Sequence, residues 1–167
     1  RLETVTFGAP QMPLINNIDV AVETDADRIR DALYRQAFGP VRWVEVVQAL
    51  KARGCAFMHV STGGLSLQQK LVPGPGYQVP FAVRIRQETG LPTIAVGLIT
   101  EPEQAEEIVA TGQADLVGVA RCMLYDPRWP WHAAARLGAR LTAAPQYWRC
   151  LPREHAQLFS GAQVGGR

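Results

Sequence analysis

Cysteine is scarce in this chain: Cys55, Cys122 and Cys150 are the only three among 167 residues, far apart and in no paired spacing. That count excludes a disulfide scaffold and a thiolate metal site, and it fits reduced thiols in a cytoplasmic protein. An excess of one charge is missing too. The formal net charge is +2, with Lys and Arg scattered among acids, so neither a basic stripe for nucleic acid nor a polybasic cluster for a membrane surface is present. No apolar run reaches bilayer-spanning length, and the opening RLETVTFGAP has no apolar signal core. The nucleophile elbow G-x-S-x-G, the dinucleotide motif G-x-G-x-x-G and a phosphate-loop lysine are all absent. The glutamates from Glu101 to Glu107 recur along a helix side that reads as solvent-facing, so no metal cluster is expected. An opening Arg in place of Met points to a fragment.

What remains is a globular composition, 47% hydrophobic, with a soluble small molecule as the expected partner. Two extended segments are expected first, around Val5 to Phe7 and Pro13 to Val20, with the polar INNID stretch as a turn. A helix follows, capped by Thr24 or Asp25, with Ile29, Ala32, Leu33, Ala37 and Phe38 as its apolar side. Pro40 is placed to open a second helix, on which Trp43, Val46, Val47 and Leu50 form a stripe that stops at Arg53 and Gly54.

From Cys55 the period changes. Ala56 to Val60 reads as a short strand, followed by an abrupt STGG turn whose glycines permit close approach. A loop rich in glycine and proline leads into a helix from about Pro80 to Glu88, which Gly90 and Pro92 end. TIAVG reads as a buried parallel strand, and Thr100 with Glu103 has capping-box spacing for a helix through about Ala110. ADLVGVA is the next strand, followed by a short helical turn, the DPRWP loop and a helix through WHAAARLG. Trp129 and Trp131 read as anchors of that last helix. The tail from Leu141 reads as extended or mobile. Alternating strands and helices at this spacing specify an α/β fold with parallel strands and right-handed crossovers.

The strand ending in Gly97 and the strand ending near Ala120 would bring backbone amides together, with Arg121 directly after the second. Amides at adjacent strand ends can cradle a phosphate, and a guanidinium beside them can neutralise it. The alternative partner for Arg121 is a local carboxylate such as Asp126.

Two family resemblances follow from these blocks. Residues from about 46 to 159, through GPGYQVPFA, VGLITEPEQA, ADLV, AR, DPRWPWHAA and PQYWR, resemble the C-terminal part of Old Yellow Enzyme type NADPH dehydrogenases, especially the thermophilic-like ene-reductases. Residues 1 to about 53, through APQMPLINNIDV, IRDALYRQAFGPVRW and VEVVQALKARG, resemble the C-terminal part of malonyl-CoA:acyl carrier protein transacylase. The two meet at ALKARG, which implies a chimera or fragment: a transacylase-like 1–53, a barrel part 54–140 and a tail 141–167.

The first resemblance implies a partial TIM barrel of the last three strand and helix units, since a full barrel takes roughly 250 residues. Such a part leaves an open edge, so the isolated chain is expected to be marginal or oligomeric. The implied cofactors are FMN and NADPH, and the implied substrate is an α,β-unsaturated carbonyl compound. Gly97, Ala120 and Arg121 match the FMN phosphate site, and Ser61 with Thr62 could line the same face. Ala120 stands where many relatives carry glycine; its amide suffices if its backbone angles are ordinary. Arg149 matches a C-terminal arginine that reaches the substrate site of a neighbouring subunit, the alternative being an exposed tail cation. Tyr147 and Trp148 would pack a dimer surface or the tail itself.

The family's flavin-ring contacts, substrate-binding histidine pair and proton-donating tyrosine come from earlier barrel strands, so no catalytic residue is assigned and little or no turnover is expected. His59 reads as a core histidine, with His132 on the last helix and His155 in the tail. For the transacylase, the serine, histidine and arginine all precede the matching segment. Gln36 matches a position that orients the absent histidine, and Arg42 and Trp43 read as packing and capping residues. Acyl transfer is the alternative function, and a noncatalytic assembly fragment the third.

Overall fold

A computed structural model describes residues 2–62 and 70–161. The chain divides into two compact units, residues 1–58 with 84–92 and residues 59–83 with 93–167.

In the first unit, strands β1 (Leu14–Ile15) and β2 (Val22–Glu23) form an antiparallel pair, Leu14 opposite Glu23 and Ile15 opposite Val22. The INNID stretch makes the expected turn because Asn16, buried, accepts from the amides of Ile18 (3.2 Å) and Asp19 (2.7 Å) through its Oδ1. The segment Val5 to Phe7, expected to be extended, forms no strand; a 3₁₀ turn at Leu2–Thr4 precedes it. Helix α1 (Ala26–Gln36) starts where Asp25 Oδ1 accepts from the amides of Asp27 and Arg28, so Asp25 is the cap and Thr24 is not. Its buried face is narrower than expected. Ile29 and Ala32 are buried, whereas Phe38 is 80% exposed and stacks edge-on against Tyr34 at 5.5 Å. Arg35 holds both Asp31 and Asp19, and its hydrogen bond keeps the Asp19 carboxyl below its ordinary range.

Helix α2 (Trp43–Ala52) begins three residues after Pro40, which therefore does not occupy its first turn. Val46 and Val47 are buried, Trp43 is exposed, and the helix stops at Arg53 and Gly54 as expected.

In the second unit, β3 (Met58–Val60, of which His59 and Val60 belong here), β4 (Thr93–Ala95) and β5 (Leu116–Val117) form a sheet in that order. Strands β4 and β5 are parallel, with Ile94 opposite Leu116 and Ala95 opposite Val117. All three strands are shorter than the sequence implies. The pairing of β4 and β5 continues beyond the strands through Asp115 N–H to Thr93 O (3.0 Å) and Gly118 N–H to Ala95 O (2.8 Å). Helix α3 (Val79–Thr89) runs from one unit into the other.

Helix α4 (Pro102–Ala110) connects β4 to β5 and buries Ala105 and Ile108. The capping box is not formed: Glu101 is the cap residue and its side chain accepts from no helix amide, bonding Thr100 instead, and Glu103 is taken by Arg136 at 2.7 Å. Arg136 on α6 (Trp129–Arg136) also binds Glu101 at 3.0 Å, tying α6 to the start of α4. The short α5 (Arg121–Tyr125) lies between β5 and α6. Trp129 Nε1 donates to Thr100 O (3.0 Å), and Trp131 packs edge-on against Tyr147 and Phe159, so both tryptophans anchor α6 as expected.

The tail through Gly161 is folded rather than extended. Leu141 pairs in parallel with Phe159, Leu158 and Phe159 are buried, Trp148 Nε1 donates to Ala143 O, and the segment carries 3₁₀ turns at Pro145–Cys150 and Arg153–His155. Phe159, far along the tail, packs on Trp131 and closes the segment, which the count of prolines conceals. The glycines of the STGG turn, Gly63 and Gly64, and the final AQVGGR lie outside the described residues.

Candidate functional site

The C-terminal ends of β3, β4 and β5 open into one cavity of about 370 Å³ within the second unit. Three segments line it: His59 and Ser61 from β3, Val96 to Thr100 after β4, and Gly118 to Cys122 after β5, with Tyr77 and Gln78 at the approach to α3. In a parallel sheet with crossover helices, this is the end at which ligands bind.

The loop after β4 is built by Gly97. Its φ is +114°, and a Cβ there would lie 3.0 Å from the Gln78 backbone nitrogen and 3.1 Å from Gln78 Cβ. Only glycine takes this backbone and leaves the space. The approach is fixed by Gly76 N–H donating to Gly97 O at 2.7 Å. Leu98 follows with φ +53°, so two successive residues hold positive φ. Gly118 serves spacing alone: a Cβ would sit 2.9 Å from Val96 Cγ1 and 3.5 Å from His59 Nε2.

The donor chemistry is one-sided. Among the described residues no carboxylate lines the cavity, and Arg121 is the one Lys or Arg that does. Among the described residues the amides of Leu98, Ile99, Val119 and Ala120 donate to no backbone or side-chain acceptor, and Arg121, exposed, has no ionic or hydrogen-bonded partner. Asp126, the alternative partner for Arg121, is occupied by His132 Nδ1 (2.6 Å) and by the amide of Arg128 (2.9 Å). Free amides beside an unpaired guanidinium are the donor set that a phosphate monoester needs. Ala120 has a negative φ (−115°, with ψ −67°), so no left-handed backbone demands glycine there.

The structure thus brings Gly97, Ala120, Arg121 and Ser61 to one cavity. It does not bring Arg149 there. That residue is exposed in the Pro145–Cys150 turn, without a partner among the described residues. His59 is corrected: it is exposed at the cavity wall, not buried in the core, because β3 is only three residues long and its middle residue faces the opening. Tyr77 and Gln78, which the sequence gives only as part of a loop, also line the cavity. The signal available for them was the GPGYQV block itself, in which a polar pair stands directly before a helix.

Residues 41–139 match the NADH:flavin oxidoreductase / NADH oxidase family, more than half of the chain. The chain belongs to this family. Similar proteins include the NADPH dehydrogenase of Geobacillus thermodenitrificans (strain NG80-2), 46% identical over 107 residues, which are 64% of this chain and 31% of that protein. The NADPH dehydrogenase of Listeria innocua serovar 6a is 47% identical over 100 residues (60% and 29%), and that of Halalkalibacterium halodurans 40% over 105 residues (63% and 31%). The aligned segment spans under a third of each of these relatives. The expected flavin and NADPH agree with the family's description and with the relatives' name. The family match includes the whole cavity wall and begins at Val41, so α2 lies inside it.

If Gly97 is required by close approach, Gly97→Ala lowers the thermal unfolding midpoint more than Gly138→Ala. Both positions have positive φ, costing about 1–2 kcal/mol for a side chain, but a Cβ at Gly138 meets nothing within 4 Å. Equal losses in differential scanning calorimetry would remove the steric account.

Proposed function

We propose that the strand-end cavity is the phosphate end of a flavin mononucleotide site, in a protein that takes hydride from NADPH and reduces α,β-unsaturated carbonyl compounds. The observation carrying this reading is that, among the described residues, Arg121 is unpaired beside free amides of two loops and no carboxylate lines the cavity. When bound, flavin mononucleotide supplies the hydride carrier between nicotinamide and alkene. The amides at 98–99 and 119–120 orient the phosphate, Arg121 neutralises it, and Ser61 closes the side formed by β3. None of these residues moves a proton in the reaction. Arg149, exposed and without a partner among the described residues, is available to reach the substrate site of a neighbouring subunit in a cytoplasmic homo-oligomer.

The partial barrel and the joined N-terminal segment belong to the same proposal. Residues 1–40 lie outside the flavin family match, and the likeness of the N-terminal segment to a transacylase rests on its QMPLINN and GPVRW stretches alone. Acyl transfer itself gains no residue from the described structure.

Two outcomes are expected. Titration of the full chain with FMN, followed by flavin fluorescence, saturates, and Arg121→Ala weakens binding by roughly tenfold or more, the scale of one lost charge-assisted contact; an unchanged affinity removes Arg121 from the site. In the same preparation NADPH-dependent reduction of cyclohexenone is expected to be negligible. Sustained turnover free of contaminating enzyme would show that these residues suffice for catalysis.

A further inference from the structure

Gln78 is 4% exposed, and its amide makes two hydrogen bonds through one nitrogen: Nε2 to Thr62 O at 2.7 Å and Nε2 to Tyr77 Oη at 2.7 Å. The Thr62 carbonyl can only accept, which fixes the amide with its NH₂ toward both partners. One proton serves each bond. The Tyr77 oxygen is therefore an acceptor in this pair, and its own proton is left to point elsewhere. Among the described residues no acceptor takes that proton, and Tyr77 lines the cavity.

The position of Tyr77 is set by the same contacts that shape the loop after β4. Gly76 N–H bonds Gly97 O, and the Gln78 backbone lies against Gly97. The hydroxyl thus belongs to the rim of the loop that carries the free amides of Leu98 and Ile99. With no carboxylate among the described residues of the cavity wall, an oriented phenolic donor there has an anionic oxygen of the ligand as its natural acceptor.

We propose that Tyr77 is a ligand-binding residue of this cavity, donating its phenolic proton to a phosphate oxygen, and that Gln78 is the positioning residue that orients it. The inference rests on the phosphate-site reading and extends it to a residue pair outside the strand ends.

The test compares FMN with riboflavin, which lacks the phosphate, in fluorescence titrations of the full chain and of Tyr77→Phe, with circular dichroism as the check on folding. The expected result is a roughly tenfold loss of FMN affinity in Tyr77→Phe and an unchanged titration with riboflavin. Equal FMN affinity in the two chains overturns the role of Tyr77 and leaves the phosphate site standing. Equal losses for FMN and riboflavin overturn the phosphate assignment, because the contact then lies on the ring or ribityl part. Absence of FMN binding by the unmodified chain overturns the parent reading and this one with it. Should Tyr77→Phe fail to fold, the unmodified chain carrying ¹³C-labelled tyrosine gives the same decision: the Tyr77 ring resonance shifts with FMN and not with riboflavin, and a resonance unmoved by FMN contradicts the proposal.

Discussion

The second unit depends on one close approach, the Gly76 amide bonded to the Gly97 carbonyl at 2.7 Å with the Gln78 backbone against the bare Cα of Gly97. This contact brings the turn before α3 onto the loop after β4 and leaves that loop with positive φ at Gly97 and Leu98. In a loop so held the amides of Leu98 and Ile99 donate to no acceptor among the described residues. The same contact delivers Tyr77 and Gln78 to the cavity rim. One steric permission, the absence of a side chain at 97, therefore decides both the shape of the phosphate end and which side chains face it.

Electrostatics complete what the backbone begins. The acids near the cavity are all engaged elsewhere: Asp126 with His132 and the Arg128 amide, Glu101 and Glu103 with Arg136. Those pairs are exposed, and each adds little to stability. Their consequence is selective: among the described residues Arg121 has no carboxylate partner and stands as a free cation beside free amides. A cavity wall with donors and one positive charge discriminates for anions before any precise geometry is invoked.

The sequence made the order of elements legible because glycine and proline punctuate it: Gly54, Gly90 and Pro92 end helices where expected, and Asp25 caps α1. Strand lengths were less legible. Apolar residues continue past the last paired residue, as at Val96 and Val119, so a hydrophobic run overstates the ladder. The capping box at Thr100 failed because Arg136, thirty-three residues beyond Glu103, competes for that carboxylate, and such a partner has no local trace. The phosphate-end residues were legible through their place after two strands. Tyr77 and Gln78 were not, because their role arises from the contacts of Gly76 and Gln78 with Gly97, twenty-one and nineteen residues away. His59 was misread because alternation along a three-residue strand cannot tell an inner face from a cavity wall.

The central claim, that the two loop amide sets and Arg121 form one phosphate site, is tested most directly by ¹⁵N–¹H NMR of the labelled full chain titrated with FMN. The account predicts that amide shifts concentrate at 97–100 and 118–122 and saturate together with a single affinity. Shifts confined to one loop, or spread over residues remote from both, would contradict it.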